Sequence, residues 1–88
     1  EGLTVALAAE LAPNIRVNCI APSLSKSKMA KNVIKNIKME ESIAKMHPLK
    51  RIGEGSDAAS LSKFLLLKDS SWITGQIIGV DGGRSSIA

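Results

Sequence analysis

Few side chains in this sequence are able to do chemistry, and three of them are clustered. Ser23, Ser25 and Ser27 follow Pro22 at alternate positions, and each hydroxyl can both donate and accept a hydrogen bond. The only cysteine is Cys19, the only histidine is His47, and tyrosine is absent. A single cysteine rules out an internal disulfide framework, and with one histidine it falls short of a four-ligand Cys/His zinc site. Such cysteine usage points to a reducing, cytoplasmic setting. Between Lys26 and Arg51 stand eight Lys/Arg and two Glu, a local charge of +6, while the remaining residues carry four basic and six acidic groups, −2. A basic block suits anionic ligands or nucleic acid. It lacks the interleaved aromatics on which single strands stack, because the chain's aromatics, Phe64 and Trp72, lie outside it. The block therefore reads as the solvated face of a helix. Lys26, Lys28 and Lys31 could also steer an anionic ligand, but no nucleic-acid partner is expected.

Those groups must be positioned by a small structure. With 88 residues, 44% hydrophobic and 23% charged, the chain has room for one domain with a marginal core. Its longest apolar stretches, such as Phe64 to Leu67, are far short of the roughly 20 residues that span a bilayer. Glu1 and Glu10 flank the first apolar part with no basic segment ahead of it, so it does not read as a signal peptide. No membrane association is expected.

Leu3, Leu7 and Leu11 recur at i+4 spacing with alanines between them, which predicts a helix with a narrow apolar face. Pro13 stops it, and Asn14 suits a left-handed turn. Nothing caps the helix ahead of Gly2, as if it continued a longer one. The run 15–21 favours a buried parallel strand, ended by Pro22, which cannot continue a central ladder. After the polar loop 23–27, Met29, Val33 and Ile37 mark a helix that bends near Glu40, continues through Ile43 and Met46, and ends at His47-Pro48. Gly53-Glu54-Gly55 breaks the chain again. Glu54 or Ser56 can cap the next helix, with Asp57 favourable in its first turn and Ala58, Leu61, Leu65 and Leu66 as its buried stripe. A turn at 69–71 leads to a strand over 76–80, and Asp81-Gly82-Gly83 turns the chain with positive φ at its glycines. Two short strands with helical connections predict a parallel α/β unit with a right-handed crossover and exposed sheet edges.

In this order the chain resembles the C-terminal part of a classical short-chain dehydrogenase/reductase. The matching pieces are Gly2-Leu3-Thr4 and Leu7-Ala8-Ala9-Glu10, then Ile15-Arg16-Val17-Asn18 and Ile20-Ala21-Pro22. They continue with His47-Pro48-Leu49-Lys50-Arg51-Ile52-Gly53-Glu54, Phe64-Leu65-Leu66, Ile73-Thr74-Gly75-Gln76 and Val80-Asp81-Gly82-Gly83. Together they run through nearly the whole chain.

The resemblance implies the C-terminal part of a Rossmann-type doubly wound parallel sheet, ordered helix, strand, helical insert, helix, strand. Residues 1–88 would be a single partial domain, with 24–46 as a helical insert covering the substrate. The intact parent would transfer hydride between NAD or NADP and a small alcohol or carbonyl substrate, and would be a homo-oligomer built through helix 56–67 and the last strand, with Trp72 beside them. The family's glycine-rich phosphate loop does not occur here, and its catalytic Tyr-x-x-x-Lys pair would precede Glu1. No catalytic residue and no metal ligand is therefore assigned, and the chain alone is expected to be inactive and to bind no cofactor.

The cofactor-facing loop implied by the family starts at Pro22, with Ser23 where the family has glycine, then Leu24, and Ser27 in place of a threonine. Pro22, Ser23, Leu24 and Ser27 are thus the candidate cofactor-binding residues; the other reading of the serines is ordinary loop hydroxyls and helix caps. The same resemblance makes Asn18 structural and leaves His47 outside the catalytic set; Arg51 is also read as structural, able to pair with acidic groups near the C-terminus. Met29, Met39 and Met46 would face a substrate or belong to the core. A stand-alone, self-associating interaction module is the alternative to an oxidoreductase segment.

Overall fold

The computed structural model describes residues 1–23 and 37–87. Among them the chain forms helix α1 (Gly2–Leu11), strand β1 (Cys19–Pro22), helix α2 (Ile37–Lys45), helix α3 (Gly55–Leu66), a 3₁₀ turn (Lys68–Ser70), strand β2 (Ile77–Val80) and a final turn of helix α4 (Arg84–Ile87). The strands pair in parallel, with Cys19 beside Ile77, Ile20 beside Ile78, Ala21 beside Gly79 and Pro22 beside Val80. The expected helix 29–46 is described only from Ile37 onward, and there it passes Glu40 without a break. Leu24, Ser27 and Met29 lie outside the described residues.

α1 is apolar on nearly every side, but only Ala8 is fully buried among its residues. Leu7 and Leu11 of the expected stripe are half-buried beside it, whereas Leu3 projects into solvent. Ala8 packs against Gly75 on the opposing segment, where a Cβ would lie in ordinary contact, 3.6 Å from the Cβ of Ala8. The helix ends where Ala12 turns extended (φ −67°, ψ 149°), the geometry that a following proline imposes. Asn14 is not left-handed, since Lys50 is the positive-φ non-glycine residue. Instead the amides of Asn14 and Ile15 both donate to the Leu11 carbonyl, which turns the chain without a left-handed residue.

The regular ladder is shorter than the apolar run 15–21. Over 15–18 the partner segment carries Gly75 at φ +72°, a conformation outside the strand region; the Gly75 amide still donates to the Val17 carbonyl at 2.8 Å, and side chains supply further bonds. Val17 N donates to Thr74 Oγ1 at 3.0 Å. Asn18 Nδ2 donates to the Ile73 carbonyl, and its Oδ1 accepts from Gln76 N, both at 3.1 Å. Asn18 is thus structural, as expected. At the other end Pro22 closes the strand as expected, but as its last paired residue, beside Val80. Cys19 N donates to Gln76 O and Ser23 N to Val80 O, so odd-numbered amides face β2. The nitrogen of Pro22 faces the opposite edge, where no bond to β2 is lost.

α3 begins at Glu54, whose amide donates to Asp57 Oδ2 at 2.7 Å, half of a capping box. Ala58, Leu61 and Leu65 turn inward, whereas Leu66 is 83% exposed and leaves the predicted stripe. The C-terminal end of α3 is closed by Arg16. Its Nη1 donates to the carbonyls of Ser70 (2.8 Å) and Ile73 (3.1 Å), and its Nη2 to that of Leu65 (2.8 Å). Ser70, fully buried, adds hydroxyl bonds to Leu65 O and Leu67 O. The only other fully buried apolar residue among those described is Ile52. This half-sheet is therefore held more by directed hydrogen bonds than by a core.

Arg51 pairs with Asp57, not with the C-terminus: its guanidinium donates to both carboxylate oxygens, at 2.8 and 3.0 Å. These bonds, and then the Glu54 amide, hold the Asp57 carboxyl down to about 2, and the Arg51 pKa is raised by the same pairing. A depressed carboxyl stabilises the fold above its unfolded pKa, near 4, and that contribution disappears as pH falls toward 2. Asp57→Asn removes it. The wild type should therefore lose thermal stability between about pH 4 and pH 2 more steeply than Asp57→Asn; parallel slopes in a pH series of melting curves would refute this.

Candidate functional site

Parallel α/β sheets bind ligands beyond the carboxyl ends of their strands. Here those ends are Pro22-Ser23 after β1 and Asp81-Gly82-Gly83 after β2. Between them opens a cavity of about 800 Å³, bordered by Pro22, Ser23, His47, Arg51, Asp81 and Gly82. Of the four expected cofactor-binding residues the structure places two, Pro22 and Ser23, both at this mouth. Leu24 and Ser27 fall outside the described residues.

His47 is the residue that sequence reasoning set aside and the fold brings in. It is 1% exposed and lies two residues beyond α2, 24 positions along the chain from Ser23. Its Nδ1 sits 2.9 Å from the Ile43 carbonyl and its Nε2 2.9 Å from Ser23 Oγ. A carbonyl can only accept, so Nδ1 carries the proton; in the neutral ring Nε2 is then the acceptor for the Ser23 hydroxyl. One signal was available in sequence: a histidine four residues after Ile43, at a helix end, can reach back to the i−4 carbonyl. Nothing in sequence pointed from there to Ser23.

The turn after β2 supports the same ring. Gly82 (φ +60°) lies against His47, with a hypothetical Cβ 3.4 Å from the histidine Cβ, and the Leu49 amide donates to the Gly82 carbonyl. Asp81 caps α4 by accepting from the amides of Gly83 (2.9 Å) and Ser85 (3.3 Å) and from the Ser85 hydroxyl. The Ser85 hydroxyl bond foremost lowers the Asp81 pKa, against a smaller opposing desolvation, with help from the two amides and, least, from the nearby His47. The glycines of this turn do adopt positive φ, as expected.

The mouth is bordered by polar groups (Ser23, His47, Arg51, Asp81) together with apolar ones (Pro22, Leu49, Val80). The proton of the Ser23 hydroxyl is committed to His47, which leaves that oxygen able only to accept. Among the described residues no group of three His, Cys, Asp or Glu is placed to hold a metal ion, and no helix is long and apolar enough to cross a membrane.

A family model described as enoyl-(acyl carrier protein) reductase matches residues 1–85. The chain belongs to the short-chain dehydrogenase/reductase family. It is 44% identical over 86 residues to dehydrogenase/reductase SDR family member 4 of Homo sapiens, covering 97% of this chain and 31% of that protein. It is 42% identical over 85 residues to tropinone reductase-like 3 of Erythroxylum coca, covering 97% of this chain and 33% of that one. The solved structure of YwfH, an NADPH-dependent reductase involved in bacilysin biosynthesis, superposes with a TM-score of 0.82 at 39% identity, over 94% of this chain and 35% of its own length. This short-chain dehydrogenase/reductase chain thus spans about a third of the length of the relatives it matches, and its helices and parallel strand pair form the C-terminal part of a Rossmann-type α/β fold.

Proposed function

We propose that this chain is the C-terminal part of an NAD(P)-dependent oxidoreductase. The observation that carries the reading is the family match over 1–85 together with the placement of Pro22 and Ser23 at the carboxyl ends of the parallel strands. A nicotinamide cofactor held there supplies hydride to a carbonyl carbon, or takes it from an alcohol. Pro22 and Ser23, with Leu24 and Ser27 following, would line the nicotinamide side of that site, and 24–46 would cover a small alcohol or carbonyl substrate. The group that exchanges the substrate's proton must come from outside these residues, because the chain has no tyrosine.

The 88 residues alone are therefore expected to give no turnover with NADH or NADPH across a panel of ketones and aldehydes. Absorbance at 340 nm checks this, and consumption above the no-protein rate would refute the claim of incompleteness.

A homo-oligomeric parent accommodates the exposed apolar residues. Phe64, Leu66, Leu67 and Trp72 are exposed in this segment, and the rest of the polypeptide or a second subunit would cover them in the parent. The same exposed residues motivate the second reading, a self-associating module without catalysis. Sedimentation separates the two: self-association of the 88 residues without any binding of nicotinamide cofactor by the full-length polypeptide favours the module.

A further inference from the structure

The bond from half-buried Ser23 to buried His47 is used by neither the family match nor the proposed reaction. Burying an imidazole with both nitrogens engaged is a specific arrangement, since each unmet partner would carry a desolvation penalty. Its two bonds run to different elements. Nδ1–H is anchored on the Ile43 carbonyl in α2, which fixes the ring's tautomer, and Nε2 takes the hydroxyl of Ser23 at the end of β1. Gly82 backs the ring from the turn after β2, and Ser23 N is held by Val80 O. The main chain and the side chain of Ser23 are thus tied in two directions at the point where the chain leaves the sheet.

We propose that His47 is a positioning residue: through Ser23 it sets the backbone at the carboxyl end of β1 against which the cofactor ring packs. The proposal rests on the oxidoreductase reading for its consequence, but the Nδ1–H tautomer and the Ser23 bond stand apart from it. Glycine at position 23 would supply no hydroxyl and leave Nε2 without this partner. Serine with histidine replaces backbone freedom by a bond.

The test uses the full-length polypeptide that carries this segment, with two readouts. Fluorescence titration with NADPH and NADH gives cofactor affinity. Losing one hydrogen bond of this kind should weaken binding about tenfold in Ser23→Ala and in His47→Asn. His47→Asn can still reach Ile43 O but not Ser23. The double variant should be no weaker than either single one, because both break the same bond. His47→Gln, whose amide reaches the Nε2 position, should recover affinity to within about threefold of wild type. A generic packing role would instead rank Gln and Asn together. Unchanged affinity in Ser23→Ala and His47→Asn overturns the proposal.

The second readout is the two-bond ¹H–¹⁵N spectrum at about pH 8.5, where an ordinary histidine is neutral, with the His47 signals assigned by their loss in His47→Asn. Protonated Nδ1, bare Nε2 and an Nε2 shift in Ser23→Ala are expected. An Nε2–H tautomer, or an Nε2 resonance indifferent to Ser23→Ala, overturns the proposal whatever the cofactor does. If the wild type binds neither NADH nor NADPH, the oxidoreductase reading fails, and the nitrogen spectrum alone decides whether His47 holds Ser23.

Discussion

Arg16→Met should destabilise the fold by about 2–4 kcal/mol, with the urea midpoint falling and the slope of the transition unchanged. Methionine keeps most of the apolar stem of the side chain, so the loss isolates the guanidinium. Three bonds disappear together, to Ser70 O, Ile73 O and Leu65 O. Bonds to a charged donor contribute about 1.5–3 kcal/mol each when taken singly, but the sum is smaller here because no carbonyl is orphaned. Ser70 O keeps the Ile73 amide, Ile73 O keeps the Asn18 side chain, and Leu65 O keeps the Ser70 hydroxyl. Arg16→Lys is the informative companion. An ammonium carries the same charge without the planar fork, so it should recover less than half of the loss. Full recovery by lysine would show that charge near the end of α3, and not the three-way geometry, is what matters.

The second large effect belongs to Gly83. Its φ of +87° is a conformation that L side chains rarely adopt, and a Cβ built there would lie 3.0 Å from Ile87 Cγ1 and 3.3 Å from Pro48 Cβ. Ile87 is exposed and can swing away, but the proline ring cannot. Gly83→Ala should therefore cost about 2–4 kcal/mol, combining backbone strain with a displaced neighbour. Gly55→Ala is the control, because a Cβ at Gly55 meets nothing within 4 Å and no left-handed φ is involved; in the first turn of α3 it should be neutral or slightly stabilising. Equal losses at both positions in thermal melts would refute the account of the turn.

The sequence was most legible where local chemistry decides. Pro13 ends α1, Pro48 follows the end of α2, and Glu54 with Asp57 opens α3; in each case the cause lies within four residues of the effect. The glycines at 82 and 83 announced their positive φ because few other residues tolerate it. Legibility failed wherever a residue's role is set by a neighbour far along the chain. Leu3 and Leu66 fit a helical stripe yet remain exposed. Ala8, of no special note in sequence, is the buried residue of α1, packed against the distant Gly75. Pro22 reads as a strand terminator and does close β1, but only the fold shows that it is itself paired, because its missing N–H faces away from β2.

The same division holds for the site. Residue order and identity were sufficient to indicate the family, the α/β class and the candidate loop beginning at Pro22-Ser23, since motifs and inventory are properties of the chain itself. Only the tertiary structure could decide that Arg16 closes the end of α3, that Arg51 pairs with Asp57 and that His47 meets Ser23. Of these, the Arg16 and His47 contacts join residues 24 to 57 positions apart. Hydrogen bonds require partners within about 3 Å, and such distances across the chain exist only after the parallel strands have brought the segments together.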